Sequence, residues 1–239
     1  MTRPRNPVFC ALDTADLAEA KAWAGKIGEA VGGIKLGLEF FGAHGLAGVQ
    51  DVARTCGLPL FLDLKFHDIP NTVAGAIRAV TAARPFITNV HASGGRAMMK
   101  AARDAAGDAA AKLGVDRPLI LGVTILTSLD DRDLADVGMA ASTADQVRRL
   151  AALAKEAGLD GVVCSPHEAA HLRRDLGSEF LLVTPGVRPT WAGAQDQKRV
   201  MTPAEVMATG ADYVVIGRPI TGAADQAAAA RRIVGELAA

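Results

Sequence analysis

Three charged residues, Asp63, Lys65 and Asp68, lie close together at the end of an apolar run. The run before them, residues 59–62, is continuously hydrophobic, which is typical of a strand buried on both faces. Side chains alternate across a strand, so Asp63 and Lys65 project to the same side. Charge at the end of a buried strand costs free energy unless it is paired or used. The spacing therefore predicts an ammonium group held between two carboxylates, which suits it to donate a proton to a carbon atom in a dry site.

Short aliphatic runs alternate with Ala-rich segments of helical character along the whole chain. The predicted strands cover residues 8–12, 33–36, 58–64, 86–90, 119–126, 161–164, 180–183 and 213–216. Regular strand–helix alternation implies parallel strands with right-handed crossovers. Eight such units in 239 residues predict an α/β fold, a single (β/α)8 TIM barrel over residues 1–239 with its active site at the C-terminal strand ends. A doubly wound sheet is the alternative, although no Gly-x-Gly-x-x-Gly follows the first strand.

The composition limits the classes of protein to which this chain could belong. Half the residues are hydrophobic, and 26 basic residues balance 26 acidic ones. The absence of a basic stripe interleaved with aromatic residues argues against a nucleic-acid partner. Cys10, Cys56 and Cys164 show no metal or redox spacing, so we interpret them as reduced buried thiols. Asp13 interrupts the N-terminal apolar stretch too early for a signal peptide, and no run approaches the ~18 apolar residues of a membrane span. We expect a soluble, cytoplasmic protein with no membrane association.

Polar side chains gather at the C-terminal ends of the predicted strands, where parallel barrels place their active sites. They are Asp13, Lys35, Asp63, Lys65, His91, Thr127, Arg188 and Arg218. The opposite strand ends are mostly Gly, Pro and aliphatic residues. Residues 127–142 form the longest polar connection, which we interpret as a mobile active-site loop.

The last two units carry a second signal. Arg188 lies in a Pro-Gly-Val-Arg-Pro segment, the polar stretch 195–199 follows it, and Gly217 and Arg218 close the eighth unit. Loops after strands seven and eight are the usual phosphate-binding position in these barrels. Gly217 would let the backbone approach an anion closely, and either arginine could grip it with two hydrogen bonds. These features predict a phosphorylated substrate.

Two patterns have alternative interpretations. The Asp63, Lys65 and Asp68 cluster could be a structural ion network at the barrel rim. The segment from His167 to His171 matches the His-Glu-x-x-His pattern of zinc peptidases. However, the glutamate of that segment also completes a Ser-Pro-x-Glu capping box, a pattern that residues 202–205 repeat as Thr-Pro-Ala-Glu. We therefore expect the segment to begin an outer helix and to bind no metal.

Residues 63–72 read Asp-Leu-Lys-Phe-His-Asp-Ile-Pro-Asn-Thr and resemble the Asp-x-Lys-x-x-Asp-Ile-x-x-Thr signature of the orotidine 5′-phosphate decarboxylase family. The resemblance extends to residues 11–13, 34–37, 126–128, 185–189 and 216–218, so it covers the chain from end to end. No position that the family uses for chemistry departs from the pattern. The resemblance implies decarboxylation of orotidine 5′-monophosphate (OMP) to UMP and CO2, the last step of de novo UMP biosynthesis, with no metal and no cofactor.

The resemblance also implies roles for individual residues. Lys65 would protonate C6, Asp63 and Asp68 would flank it, and Lys35 would complete an alternating charge network. A homodimer is implied, in which Asp68 and Thr72 reach the site of the neighbouring subunit. Substrate contacts are implied at the ribose for Asp13 and Lys35, at the pyrimidine for Thr127 and Ser128, and at the phosphate for Arg188, Gln197, Gly217 and Arg218.

The nearest rival function is that of Mg²⁺-dependent decarboxylases or aldolases of keto-sugar phosphates, which share the Asp-x-Lys-x-x-Asp core. Ile69 and Pro70, which continue the signature, favour OMP, as do Thr127 and Ser128. A barrel that binds a phosphate without catalysis is a further alternative.

Overall fold

The structure is a computed structural model that describes residues 4–140, 142–192 and 201–237. Parallel strands close into a barrel in chain order. The strands are β1 (Val8–Ala11), β2 (Gly33–Gly37), β3 (Leu60–Phe66), β4 (Ile87–His91), β5 (Leu119–Val123), β6 (Gly161–Val163), β7 (Leu181–Pro185) and β8 (Tyr213–Ile216). The helices are α1 (Leu17–Ile27), α2 (Leu38–Cys56), α3 (Pro70–Thr81), α4 (Gly95–Leu113), α5 (Asp131–Asp136), α6 (Thr143–Glu156), α7 (Pro166–Leu176), α8 (Pro203–Ala208), α9 (Arg218–Thr221) and α10 (Gln226–Glu236).

Pairing of the first and last strands decides between the two predicted folds. Val8 of β1 is in register with Val214 of β8, so the sheet closes on itself. The (β/α)8 TIM barrel is therefore confirmed, and the doubly wound sheet is wrong. The predicted strands agree with the observed ones to within a few residues, except that β5 ends at Val123 instead of extending to residue 126.

An aromatic cluster fills the N-terminal part of the barrel interior. The Phe9 ring packs edge-on against Phe61 and Tyr213, with ring centroids 6.3 and 5.4 Å apart. Gly33 lies opposite Phe9 on β2, and a Cβ atom there would come within 2.3 Å of the Phe9 ring. Glycine at this position therefore lets the ring occupy the barrel axis. Because side chains alternate along a strand, the next interior positions of β2 and β3 are Lys35 and Asp63, towards the C-terminal end.

Several helices begin at the caps that the sequence predicts. Ser165 and Thr202 each form a capping box with the glutamate three residues later, as predicted. The interpretation of residues 127–142 as a loop was incomplete, because α5 lies within it. Asp130 caps α5 and Asp133 bonds back to it, an Asp-based capping box that the Ser/Thr pattern did not reveal. Within the described ranges, no helix is long and apolar enough to cross a membrane.

Candidate active site at the C-terminal end of the barrel

Four charged side chains of alternating sign form a continuous network above the aromatic cluster. The Nζ atom of Lys35 lies 3.0 Å from Asp13 Oδ1 and 3.6 Å from Asp63 Oδ2. The Nζ atom of Lys65 lies 2.7 Å from Asp63 Oδ1. The structure thus brings together Asp13, Lys35, Asp63 and Lys65, which come from the ends of three neighbouring strands.

The members of this network differ in exposure. Lys35 and Asp63 are each only 9% exposed, whereas the Asp13 side chain is 62% exposed. Burial favours the neutral form of Lys35, but the charges of Asp63 and Asp13 outweigh that effect and raise its pKa. Burial likewise favours the neutral form of Asp63, but Lys35 and Lys65 outweigh it and lower its pKa. The buried pair is therefore held in its charged state at neutral pH.

Lys65 has an unusual backbone. Its φ angle is +49°, a left-handed conformation that is uncommon for residues other than glycine. The pairing of β3 with β4 shifts register between Leu62 and Phe66, so Lys65 lies within an irregularity of the strand. The irregularity aims the lysine side chain at Asp63, two residues earlier on the same strand.

Asn89 of β4 is a site residue that sequence reasoning missed. Its Oδ1 atom accepts a 2.8 Å hydrogen bond from the Lys65 backbone N–H, and its Nδ2 atom donates a 2.7 Å bond to Asp63 Oδ1. Asn89 is fully buried. The available signal was an amide side chain at an interior position of a hydrophobic strand, where an unpaired polar group would be costly.

Asp68 and Thr72 lie apart from this network within one chain. Asp68 is exposed, and its Oδ1 atom accepts a 2.6 Å hydrogen bond from the Ile69 backbone N–H. Thr72 is an exposed residue in the first turn of α3. Within the described part of a single chain, Lys65 forms an ion pair with Asp63 and none with Asp68. The predicted clamp of two carboxylates around one ammonium therefore does not form within one subunit.

Thr127 and Ser128 lie further from the barrel than predicted. Because β5 ends at Val123, these two residues occupy an exposed turn beyond the strand and do not close it. The turn is fixed by a 2.9 Å hydrogen bond from the Leu129 N–H to the Leu126 carbonyl oxygen.

The residues predicted to bind phosphate follow β7 and β8. Arg188 is buried, and its backbone N–H donates a 3.1 Å hydrogen bond to the Met201 carbonyl oxygen. Arg218 is exposed at the start of α9, directly after Gly217. A Cβ atom on Gly217 would lie 3.7 Å from Asp13 Oδ2, so barrel closure brings this loop beside the charge network. Gln197 lies outside the described residues.

Four of the five histidines lie in two pairs. On the rim, the His67 and His91 rings lie 5.3 Å apart, and the pKa of His91 is lowered by burial and by the charges of His67 and Lys65. In α7, Glu168 between the other two histidines accepts a 2.8 Å hydrogen bond from the Ser165 backbone N–H. Within the described ranges, no group of three or more His, Cys, Asp or Glu side chains is arranged to hold a metal ion. The glutamate of the peptidase-like pattern completes the capping box of α7, as predicted.

Known proteins match this chain over almost its whole length. The family model described as "Orotidine 5′-phosphate decarboxylase / HUMPS family" matches residues 6–233. An orotidine 5′-phosphate decarboxylase of Rhodospirillum rubrum is 62% identical over 233 residues, which cover 98% of this chain and 94% of the relative. One of Paramagnetospirillum magneticum is 54% identical over 97% of this chain and 98% of the relative. The crystal structure of the Lactobacillus acidophilus enzyme of that name has a TM-score of 0.87 at 37% identity and covers 100% of both chains. The chain therefore belongs to the orotidine 5′-phosphate decarboxylase / HUMPS family. This finding confirms the resemblance that was inferred from the signature at residues 63–72.

Proposed function

We propose that this protein decarboxylates OMP to UMP, with Lys65 delivering the proton to C6 and with neither a metal nor an organic cofactor. The reaction is the one for which the relatives at 62% and 54% identity are named. The observation that carries the mechanism is the 2.7 Å ion pair between Lys65 and Asp63 at the mouth of the barrel. This ion pair holds the ammonium group of Lys65, the proposed proton donor, in a defined position above the apolar interior of the barrel.

The chemistry explains why a fixed charge is needed. When the bond between C6 and the carboxylate breaks, the electron pair stays on C6 in the plane of the ring, where no adjacent π-system delocalises it well. A preorganised positive charge stabilises that pair as it forms. Lys65 then donates its proton to C6 and becomes a neutral amine. Asp63 fixes the ammonium group, and Lys35 balances the charge of Asp63 from its other side.

Proton transfer alone is too small an effect. A positioned general acid contributes about 10²–10⁴-fold, whereas enzymes lower barriers by ~8–23 kcal/mol in general. Binding energy from a remote part of the substrate must therefore be used at the reacting carbon. We assign that part to the phosphate, with Arg188, Gln197, Gly217 and Arg218 as its ligands. Asp13 and Lys35 are the proposed ribose contacts, and Thr127 and Ser128 the proposed pyrimidine contacts.

The active unit that we propose is a homodimer in which Asp68 and Thr72 complete the neighbouring subunit's site. Residues 67–72 are all exposed, and Ile69 within them is 66% exposed. Ile69 is an apolar side chain that is largely exposed, and the Asp68 carboxylate beside it forms no ion pair with the described residues of its own chain. Both features fit a surface that a second subunit covers.

A mixing experiment tests the shared site. Lys65→Ala and Asp68→Ala homodimers should each be nearly inactive. In a hybrid dimer, one site receives an intact lysine from one chain and an intact aspartate from the other. Activity should therefore return after the two variants are unfolded and refolded together. If the mixture stays as inactive as its components, Asp68 does not act across the interface.

One assay tests the chemistry itself. Purified protein with excess chelator should consume OMP, followed by its ultraviolet absorbance, and release CO2. Lys65→Ala should abolish turnover and still bind UMP, whereas Lys21→Ala, which removes a surface pair with Asp51, should behave as wild type. Activity lost on chelation and restored by Mg²⁺ would favour the keto-sugar-phosphate enzymes. Binding of UMP without CO2 release would indicate a phosphate-binding barrel.

A cytoplasmic location stays a prediction.

A further inference from the structure

We propose that Asn89 is a positioning residue that holds both Lys65 and Asp63 in their working geometry, an inference that rests on the proposed function. Asn89 lies on β4, the strand beside the one that carries the lysine. It is fully buried beneath the network and is placed to act through its neighbours instead of touching a substrate.

The first of its two contacts supports the backbone of Lys65. A left-handed conformation is disfavoured for lysine because the Cβ atom crowds the following carbonyl oxygen. Such a conformation persists only where surrounding structure holds it. Here the β3–β4 pairing is interrupted between Leu62 and Phe66, and the Lys65 N–H bonds to Asn89 Oδ1 at 2.8 Å instead. The side-chain oxygen of Asn89 thus accepts the hydrogen bond that a backbone carbonyl of the neighbouring strand would accept in regular pairing.

The second contact orients the carboxylate of Asp63. Its Oδ1 atom accepts hydrogen bonds from Lys65 Nζ and from Asn89 Nδ2, both at 2.7 Å, while its Oδ2 atom faces Lys35 at 3.6 Å. With two hydrogen bonds on one oxygen and an ion pair on the other, the carboxylate cannot rotate without breaking a contact. One amide plane therefore fixes the lysine backbone and the group to which the lysine head is bound.

Asparagine is the side chain that these contacts require. It presents an acceptor and a donor from one short planar group, and it does so without charge. Reversing the amide would point its donor at the Lys65 N–H and its acceptor at the Asp63 carboxylate, so the network fixes the orientation. An aspartate of the same shape would keep the acceptor but would bring a second carboxylate against Asp63.

The first test is Asn89→Ala in the full-length protein. Displacing a catalytic group by about 1 Å can cost ~10²-fold in rate, so we expect kcat to fall by about that factor. We expect KM to change by less than about threefold, because the two hydrogen bonds of Asn89 go to Lys65 and Asp63, which are proposed to act at the reacting carbon and not on the phosphate. Thr88→Val is the matched control, since it removes a buried hydrogen bond to the Leu62 carbonyl from the adjacent position of β4 without touching the network. It should keep wild-type kcat.

The second test uses pH. In Asn89→Asp, a protonated carboxyl can accept from the Lys65 N–H and donate to Asp63, as the amide does, whereas an ionised one repels Asp63. Two adjacent buried carboxyls share a proton with a raised pKa. The ratio of variant to wild-type kcat should therefore rise as the pH falls, with circular dichroism confirming that the variant stays folded. This ratio tests the positioning role of Asn89 even if Asn89→Ala does not fold.

The outcomes are distinct. A ratio that is constant with pH would overturn the positioning role, as would a folded Asn89→Ala variant with kcat within about threefold of the control, because misplacement should cost far more. If wild-type protein releases no CO2, the proposed function itself fails and this inference fails with it.

Discussion

Two carboxylates face the same ammonium group, and the structure predicts that removing them has unequal effects on stability. Asp13 Oδ1 lies closer to Lys35 Nζ, at 3.0 Å, than Asp63 Oδ2 does, at 3.6 Å. Distance alone would rank Asp13 as the stronger partner. However, the Asp13 side chain is 62% exposed and is screened by water, whereas Asp63 is buried. We therefore expect the buried Asp63 to contribute more to stability than the exposed Asp13.

The expected sizes follow from the two environments. Asp63→Asn leaves Lys35 buried without its main counter-charge and removes the carboxylate that holds Lys65. Breaking a buried ion pair typically costs about 3–5 kcal/mol, so the free energy of unfolding should fall by about 3 kcal/mol. Asp13→Asn removes an exposed partner, and the loss should be at most about 1 kcal/mol. Both changes keep the shape of the side chain, so the comparison isolates charge.

The pH dependence gives an independent check. The charge of Asp63 is the largest single effect that raises the pKa of Lys35, so this pKa should be lower in Asp63→Asn than in wild type. The folded variant then releases that proton at lower pH than folded wild type does. As the pH rises through the ordinary lysine value, wild type therefore loses more of its stability than the variant, and the deficit of the variant should shrink.

Urea unfolding measures both effects, and the protein concentration is held fixed because the proposed dimer would make stability depend on it. Asp13→Asn and wild type serve as the controls at each pH. If Asp13→Asn costs as much as Asp63→Asn, or if the deficit of Asp63→Asn does not change with pH, the assignment of Asp63 as the buried counter-charge is wrong.

Two further predictions concern Glu168, the glutamate in the capping box of α7, and Arg218, a proposed phosphate ligand. Burial raises the pKa of Glu168 to about 7, so wild type loses stability as the pH rises from the unfolded value towards 7, whereas Glu168→Gln should not. The variant should gain on the order of 2 kcal/mol relative to wild type between pH 4 and pH 8, given 1.36 kcal/mol per pKa unit and partial exposure. Glu205→Gln, the matched change in the exposed capping box, should show the opposite trend, since hydrogen bonds from Thr202 lower the pKa of Glu205; parallel trends would contradict the burial of Glu168. Arg218→Ala should lose much of kcat/KM with OMP and change little with a phosphate-free substrate, because the arginine supplies phosphate binding energy. Equal losses with both substrates would contradict the phosphate assignment.

Local patterns in the sequence predicted the eight strand–helix units and half of the charge network. Strand periodicity predicted Asp63 and Lys65 on one face of β3, and the two side chains do pair, although the strand is irregular at Lys65. The capping boxes at Ser165 and Thr202 were equally local, since their partners lie three residues apart. Eight repeated units predicted a closed barrel with its strand ends at one mouth, and the pairing of β1 with β8 decided against the doubly wound sheet.

The contacts that complete the site needed the folded chain. Asn89 reaches Lys65 and Asp63 from 24 and 26 residues away, and the left-handed backbone of Lys65 depends on that contact. The end of β5 at Val123, which moves Thr127 into an exposed turn, was decided by pairing with β6 at Val163 and not by the hydrophobic run. Periodicity reports which side a residue faces, because it depends on the chain's own geometry. Strand register and side-chain partners between distant segments depend on how the barrel closes, and only the tertiary structure fixes them.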